Sequence, residues 1–147
     1  MLTKEEIKAG EIVESKFDKL CEEYGVPYFD TAELSNYTPL FDKLHGDRII
    51  VLHGQLARVD VKGGAIAKSS INWFRGEYFV IFETSFESAK EAYVFEPRVF
   101  KDLIKNHPDE KDLWYNTLES KSPGLFYSRV KQLIKKGYGI PLEEFLS

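Results

Sequence analysis

The sequence has one cysteine, Cys21, so no disulfide can form within the chain and no cysteine cluster can hold zinc. Its histidines, His45, His53 and His107, are scattered without the spacing of a zinc site. No apolar run approaches the ~20 residues that span a bilayer. The start, Met1-Leu2-Thr3-Lys4-Glu5-Glu6, is charged and lacks the apolar segment of a signal peptide. A cytoplasmic protein, of a cell or of an infected host, is therefore expected. Walker-type glycine loops are missing, Gly63-Gly64 being too short, and no serine stands in a G-x-S-x-G context. Covalent serine catalysis thus has no support. Excess positive charge is absent too: the formal net charge is -4, which counts against a chain that coats nucleic acid nonspecifically. There are no internal repeats and no low-complexity linker.

What is present fits one ordinary folded domain. The chain has 147 residues, 43% hydrophobic and 30% charged, enough to bury a core without disulfides or structural metal. We read a single domain over 1–147, with a core over about 4–106 and a helical C-terminal part over about 107–147. Charge is uneven along it. Residues 1–97 hold 11 basic and 17 acidic side chains, whereas Lys121 to Lys136 hold five basic ones and no acid. Local patches of this kind matter more than the total when a polyanion binds.

Hydrophobic spacing predicts a helix from Thr3 or Lys4 to about Tyr24, with Thr3 and Glu6 as a capping box and Gly25 as its stop. Val26 to Phe29 is short and extended, and residues 30–46 read as a loop with a helical turn near Leu40 to Leu44. Arg48–Leu52 and Gln55–Lys62 read as strands joined by a two-residue turn at His53-Gly54. Glu77–Glu83 and Ala92–Phe95 are further strands. Helices follow from Pro97 to about Lys105, Pro108 to Leu118 and Ser128 to Lys136, with a last turn at Pro141 to Phe145. Helix, strands, then helices make the class α+β, an antiparallel core sheet flanked by helices.

The strand from Leu56 to Lys62 alternates. Val59 and Val61 belong to a core face, which sends Arg58, Asp60 and Lys62 to the other. Asp60 offers oxygen to a hard cation such as Mg²⁺, and Lys62 can orient a water or stabilise charge on a phosphate. Taken alone, a D-x-K triplet reads equally as a surface ion pair. Turning the hairpin at His53-Gly54 pairs Leu52 with Gln55 and brings Asp47 opposite Asp60. Two carboxylates on adjacent strands can bind one or two divalent ions, an arrangement suited to phosphodiester hydrolysis. Glu14 sits beside the apolar stripe of the first helix, with Ile7, Gly10, Phe17 and Cys21, while Glu11, Ser15, Asp18 and Glu22 form its polar face.

These residues resemble the PD-(D/E)xK nuclease superfamily, the restriction-endonuclease-like and Holliday junction resolvase-like group. The resemblance spans about residues 8–83 and rests on Gly10-Glu11-Ile12-Val13-Glu14, Gly46-Asp47-Arg48-Ile49-Ile50-Val51 and Arg58-Val59-Asp60-Val61-Lys62-Gly63-Gly64. It implies a mixed central sheet flanked by helices. It also implies that Asp47 and Asp60 bind Mg²⁺ or Mn²⁺, that Glu14 supports the metal, that the Val61 carbonyl adds a ligand, and that Lys62 assists the attacking water. The chain departs from the signature at His45-Gly46, where proline precedes the first aspartate, and its C-terminal third matches no subfamily.

Lys68, Ser69, Ser70, Asn72 and Arg75, with Arg58, are candidate DNA contacts, because hydroxyls, amides and cations all bind phosphate. The same stretch also reads as a solvated connection. Arg129 and Lys131, among Lys121, Lys135, Lys136, Phe126, Tyr127 and Tyr138, mix cations with aromatics as nucleic-acid surfaces do. An amphipathic helix with Val130, Leu133 and Ile134 inward explains them more simply. The leading expectation is a Mg²⁺-dependent endonuclease acting on DNA, structure-specific in the manner of a resolvase. A homodimer would let it cut both strands. The alternative is an inactive nuclease-like module binding DNA or a protein partner, and a weaker third is an adaptor using its aromatic surface.

Overall fold

Val13, Phe17 and Cys21 recur every four residues, which places them on one side of a helix. They are buried on helix α1 (Lys4–Glu23). The computed structural model describes residues 4–31, 46–67, 70–71, 74–84, 89, 91–106 and 124–147. The further elements are β1 (Tyr28–Asp30), β2 (Arg48–Leu52), β3 (Gln55–Gly63), β4 (Ala65–Ala67), β5 (Tyr78–Phe82) and β6 (Ala92–Phe95). Then come α2 (Pro97–Asn106), β7 (Gly124–Phe126), α3 (Tyr127–Lys135), β8 (Ile140–Pro141) and α4 (Leu142–Leu146). The capping box at Thr3, the loop over 32–45 and the helix expected from Pro108 to Leu118 lie outside the described residues.

The central sheet runs β1-β2-β3-β5-β6-β8, and a second sheet pairs β4 with β7. The hairpin turns as the sequence predicts. Leu52 pairs with Gln55, and His53 and Gly54 both have positive φ, 50° and 77°, the backbone of a tight two-residue turn. One pairing differs from the antiparallel expectation: β3 and β5 are parallel, with Asp60 beside Phe79 and Lys62 beside Ile81. A parallel partner requires the chain to cross back over one face. Residues 64–77 make that crossing and bury Ile66, Ile71 and Phe74 on the way. The sheet is therefore mixed and mostly antiparallel.

Helices cover both faces. On one, Val13, Phe17 and Cys21 of α1 and Leu142 and Leu146 of α4 pack with Ile50, Val59, Val61, Val80 and Val94. On the other, Val130 of α3 packs with Phe79, Ile81, Phe95 and the crossing segment. β5 contributes to both cores, Val80 and Phe82 to the first and Phe79 and Ile81 to the second, which is why it reads as an unbroken apolar run. Among the described residues no helix is long and apolar enough to cross a membrane.

One charged contact ties α1 to the sheet. Arg48 is 6% exposed and grips Asp18 with two bonds, Nε to Oδ1 at 2.8 Å and Nη2 to Oδ2 at 3.0 Å. Its Nη1 donates to the Asp47 carbonyl at 2.9 Å and lies 3.3 Å from Asp30 of β1. The sequence reading put Asp18 on the solvent face of α1; Arg48 draws it toward the sheet instead. Removing one partner of a buried pair strands the other charge, so Arg48→Ala is expected to lower stability by about 3 kcal/mol. Urea unfolding measures this, and a loss below the error of the method would remove the clamp from the account.

Candidate functional site

Asp47 enters the site because of the turn before it. Gly46 has φ +80°, and a Cβ there would meet the Val59 carbonyl oxygen at 2.5 Å and the Phe74 ring at 2.8 Å. Proline, fixed near φ -65°, cannot adopt that conformation. The glycine at this position thus has a local cause. Thr31 donates its hydroxyl to the Gly46 carbonyl at 2.6 Å and its amide to the Asp47 carbonyl at 3.1 Å, holding the turn from the other side.

The Asp47 amide donates at 2.9 Å to the carbonyl of Val59, the partner of Arg48 in the β2–β3 register, so the pairing slips by one residue where β2 begins. The ladder thus ends one step short of the Asp47–Asp60 pairing expected from the hairpin, and Asp47 meets Asp60 through its side chain. Its Oδ2 accepts the Val61 amide at 2.8 Å, and its carboxyl group is hydrogen-bonded to that of Asp60. Asp60 is 8% exposed and lies 3.2 Å from the Lys62 ammonium. Glu14 reaches the same place from α1, one turn before Asp18, and its carboxyl group comes within hydrogen-bonding reach of Asp47. The result is a line of three carboxyl groups, Glu14, Asp47 and Asp60, ending at Lys62.

Proximity and burial shift every member. Burial raises the Asp60 pKa from the ordinary 3.8 to about 7; Lys62 opposes the rise, and the Asp47 charge and hydrogen bond reinforce it. Asp60 is thus the proton holder and Asp47 the acceptor. Burial also raises Asp47, against the Asp60 hydrogen bond and the Lys62 charge, and raises Glu14, against Arg48. For Lys62, burial pulls down, but Asp60, Asp47 and Glu14 outweigh it, so the net direction is upward. Lys62 stays an ammonium at neutral pH, suited to holding negative charge or orienting water and unsuited to accepting a proton.

The donor set fits a hard divalent cation in its chemistry. Asp47 and Asp60 present carboxyl oxygens in one buried spot, and the proton they share is what a cation would displace. Among the described residues no group of three or more His, Cys, Asp or Glu is placed to hold a metal ion. Four other expected contacts sit apart from this array. Arg58 is tied to Glu77, whose carboxylate accepts its amide at 2.9 Å and its Nε at 3.0 Å. Arg75 is exposed and donates to the Phe74 carbonyl at 3.2 Å. Arg129 bonds Gln132, and Lys131 lies 3.5 Å from Glu91, both on α3. Lys68, Ser69 and Asn72 lie outside the described residues.

The sequence reading missed Arg48, Asp18 and Thr31 as supports of the site. A signal existed for Arg48: strand alternation puts it on the same face as Ile50 and Leu52, where a cation requires a buried acid. The chain matches no family model, no curated protein and no solved structure.

The raised Asp60 pKa makes a stability prediction. A carboxyl group whose folded pKa lies above its unfolded value holds its proton more tightly when folded. Its ionisation cost is absent below about pH 4 and complete above about pH 7. Asp60→Asn removes that cost, so in chelator it is expected to gain roughly 2–4 kcal/mol over the parent at pH 8 and little at pH 4. Urea unfolding at both values tests this, and an equal difference at the two would contradict it.

Proposed function

We propose that this chain is a metal-dependent endonuclease that hydrolyses phosphodiester bonds of DNA. The single observation that carries the reading is the array of Glu14, Asp47 and Asp60 ending at the Lys62 ammonium. Buried carboxyl groups held together are costly to keep, and such costs concentrate where function requires them. The order of the set, helix glutamate, strand aspartate, hairpin and D-x-K, is the order the nuclease resemblance implies. A mixed sheet flanked by helices agrees with the same resemblance.

Asp47 and Asp60 would hold Mg²⁺ or Mn²⁺, with Glu14 supporting them and the Val61 carbonyl adding a ligand. When bound, such an ion supplies Lewis-acid stabilisation of the phosphate and lowers the pKa of water. The chain supplies the rest. Asp60 must lose its proton before both its oxygens can act as ligands. Lys62, kept charged by its neighbours, steadies the attacking water and the negative charge that grows on the phosphate. Resolvase-like structure specificity and a dimer that cuts both strands belong to this proposal.

The test is supercoiled-plasmid nicking with Mg²⁺ or Mn²⁺, with chelator as control. Lys62→Ala and Asp60→Asn are expected to lower the rate by ~10²-fold or more while the fold is kept. Activity in the parent is expected to rise between pH 6 and 8, as the Asp60 proton leaves. Equal rates in parent and variants would overturn the proposal. That no group of three or more such residues is placed to hold a metal, among the described residues, favours one second reading, a nuclease-like module that binds DNA or a protein without cutting. DNA binding that persists while calorimetry detects no Mg²⁺ or Mn²⁺ binding would select it.

A further inference from the structure

Where β2 begins, backbone pairing no longer determines where Asp47 goes. The ladder with β3 ends at Arg48–Val59, and beyond it the Asp47 carboxylate, rather than a strand neighbour, accepts the Val61 amide. Packing has to hold that carboxylate beside Asp60. The crossing over 64–77 supplies a side chain in the right place. Phe74 is 2% exposed, and its ring fills the space beside the Gly46–Asp47 turn.

The ring has three neighbours. One is Gly46, the residue before Asp47, where a Cβ would come within 2.8 Å of it. The second is Gly76, where a Cβ would overlap it. Gly76 has no positive φ, so its backbone alone does not call for glycine. What keeps a side chain out is the ring, together with the Arg58 carbonyl oxygen 2.9 Å from where the Cβ would stand. The third neighbour is Phe79, with ring centroids 4.7 Å apart and an angle of 46°. Phe79 is the β5 partner of Asp60, so the two share a face of the sheet. One ring thus touches a neighbour of each aspartate.

The segment carrying the ring is tied down at both ends. The Phe74 amide donates to the Ser70 carbonyl at 3.0 Å. Three residues on, the Glu77 amide donates to the Arg58 carbonyl at 3.0 Å, and the Glu77 carboxylate accepts the Arg58 amide at 2.9 Å. Glycines are costly to order, and here two of them make room for one phenylalanine.

We propose that Phe74 is the positioning residue of the carboxyl array, its ring setting the spacing of Asp47 and Asp60 by standing between Gly46 and Phe79. This goes beyond the nuclease reading, and only its consequence for a cation rests on that reading. A small divalent ion that takes an oxygen from each aspartate tolerates little change in their spacing. A shorter side chain lets the Gly46 turn settle toward Phe79, and Asp47 moves with it.

The test is native-state hydrogen exchange in chelator, comparing the Val61 amide, bonded to Asp47, with the Val80 amide of β5 as internal reference. Phe74→Leu shortens the side chain, and Gly76→Ala keeps the ring and displaces it. Each is expected to speed Val61 exchange relative to Val80 by about tenfold, the loss of one hydrogen bond. Leu146→Ala, in the core on the other face of the sheet, loosens the fold without touching the ring and should keep the parent's ratio. Calorimetry should also show Mn²⁺ affinity falling by ~10-fold or more in the first two variants and holding in the third. If Phe74→Leu does not fold, Gly76→Ala decides. Exchange ratios equal to that of Leu146→Ala would overturn the inference, whatever the Mn²⁺ result. The two claims separate because exchange is read without metal. A parent that binds no Mn²⁺ while the ratios shift loses the cation site and keeps Phe74; one that binds Mn²⁺ while the ratios stay put does the reverse.

Discussion

The grip of Arg48 on Asp18 is the contact on which the geometry of the site depends. A guanidinium bonded to both oxygens of one carboxylate fixes the rotation of α1 about its own axis and its height over β2. Glu14 lies one helical turn before Asp18, and Asp47 lies one residue before Arg48. Setting the ion pair therefore sets the meeting of Glu14 with Asp47. Arg48 also donates to the Asp47 carbonyl, so the same side chain holds both partners. Buried ion pairs are weak sources of net stability. Here the return is positional: a helix and a hairpin are locked so that their acids converge.

Around that lock, several features are hard to justify by folding alone. Gly46 adopts a backbone that a side chain would block against Val59 and Phe74. Asp47 and Asp60 share a buried hydrogen bond between two acids, and Glu14 adds a third carboxyl group to it. An apolar pair in place of the aspartates would be cheaper to bury. Yet among the described residues no buried side-chain polar atom lacks a partner. The cluster is costly to bury, and its members sit close enough to shift one another's protons.

Much of this was legible before the fold was known. His53-Gly54 sets the register of the hairpin from Leu52–Gln55 to Arg48–Val59, because a two-residue turn leaves no freedom in the pairing, and that register pointed to Asp47 and Asp60 as neighbours although the ladder ends one step before them. The helical repeat of Val13, Phe17 and Cys21 located Glu14 at the margin of the buried face. Other features depend on distant pairings that leave little local trace. The parallel match of β3 with β5 needs a crossing over 64–77, where short apolar groups around Ile66, Ile71 and Phe74 give no period. β4 and β7 are three-residue strands that exist only in each other's company. Asp18 looked like any solvated acid until Arg48 was placed beneath it.

The central claim is that the line of carboxyl groups is a divalent-cation site. Soaking a crystal in Mn²⁺ and collecting at the manganese absorption edge tests it most directly. The account predicts an anomalous peak between Asp47 and Asp60, bonded to an oxygen of each, with the Asp47–Asp60 hydrogen bond gone. An undisturbed hydrogen bond with no peak between the two aspartates, in crystals saturated with Mn²⁺ above pH 7, would contradict it.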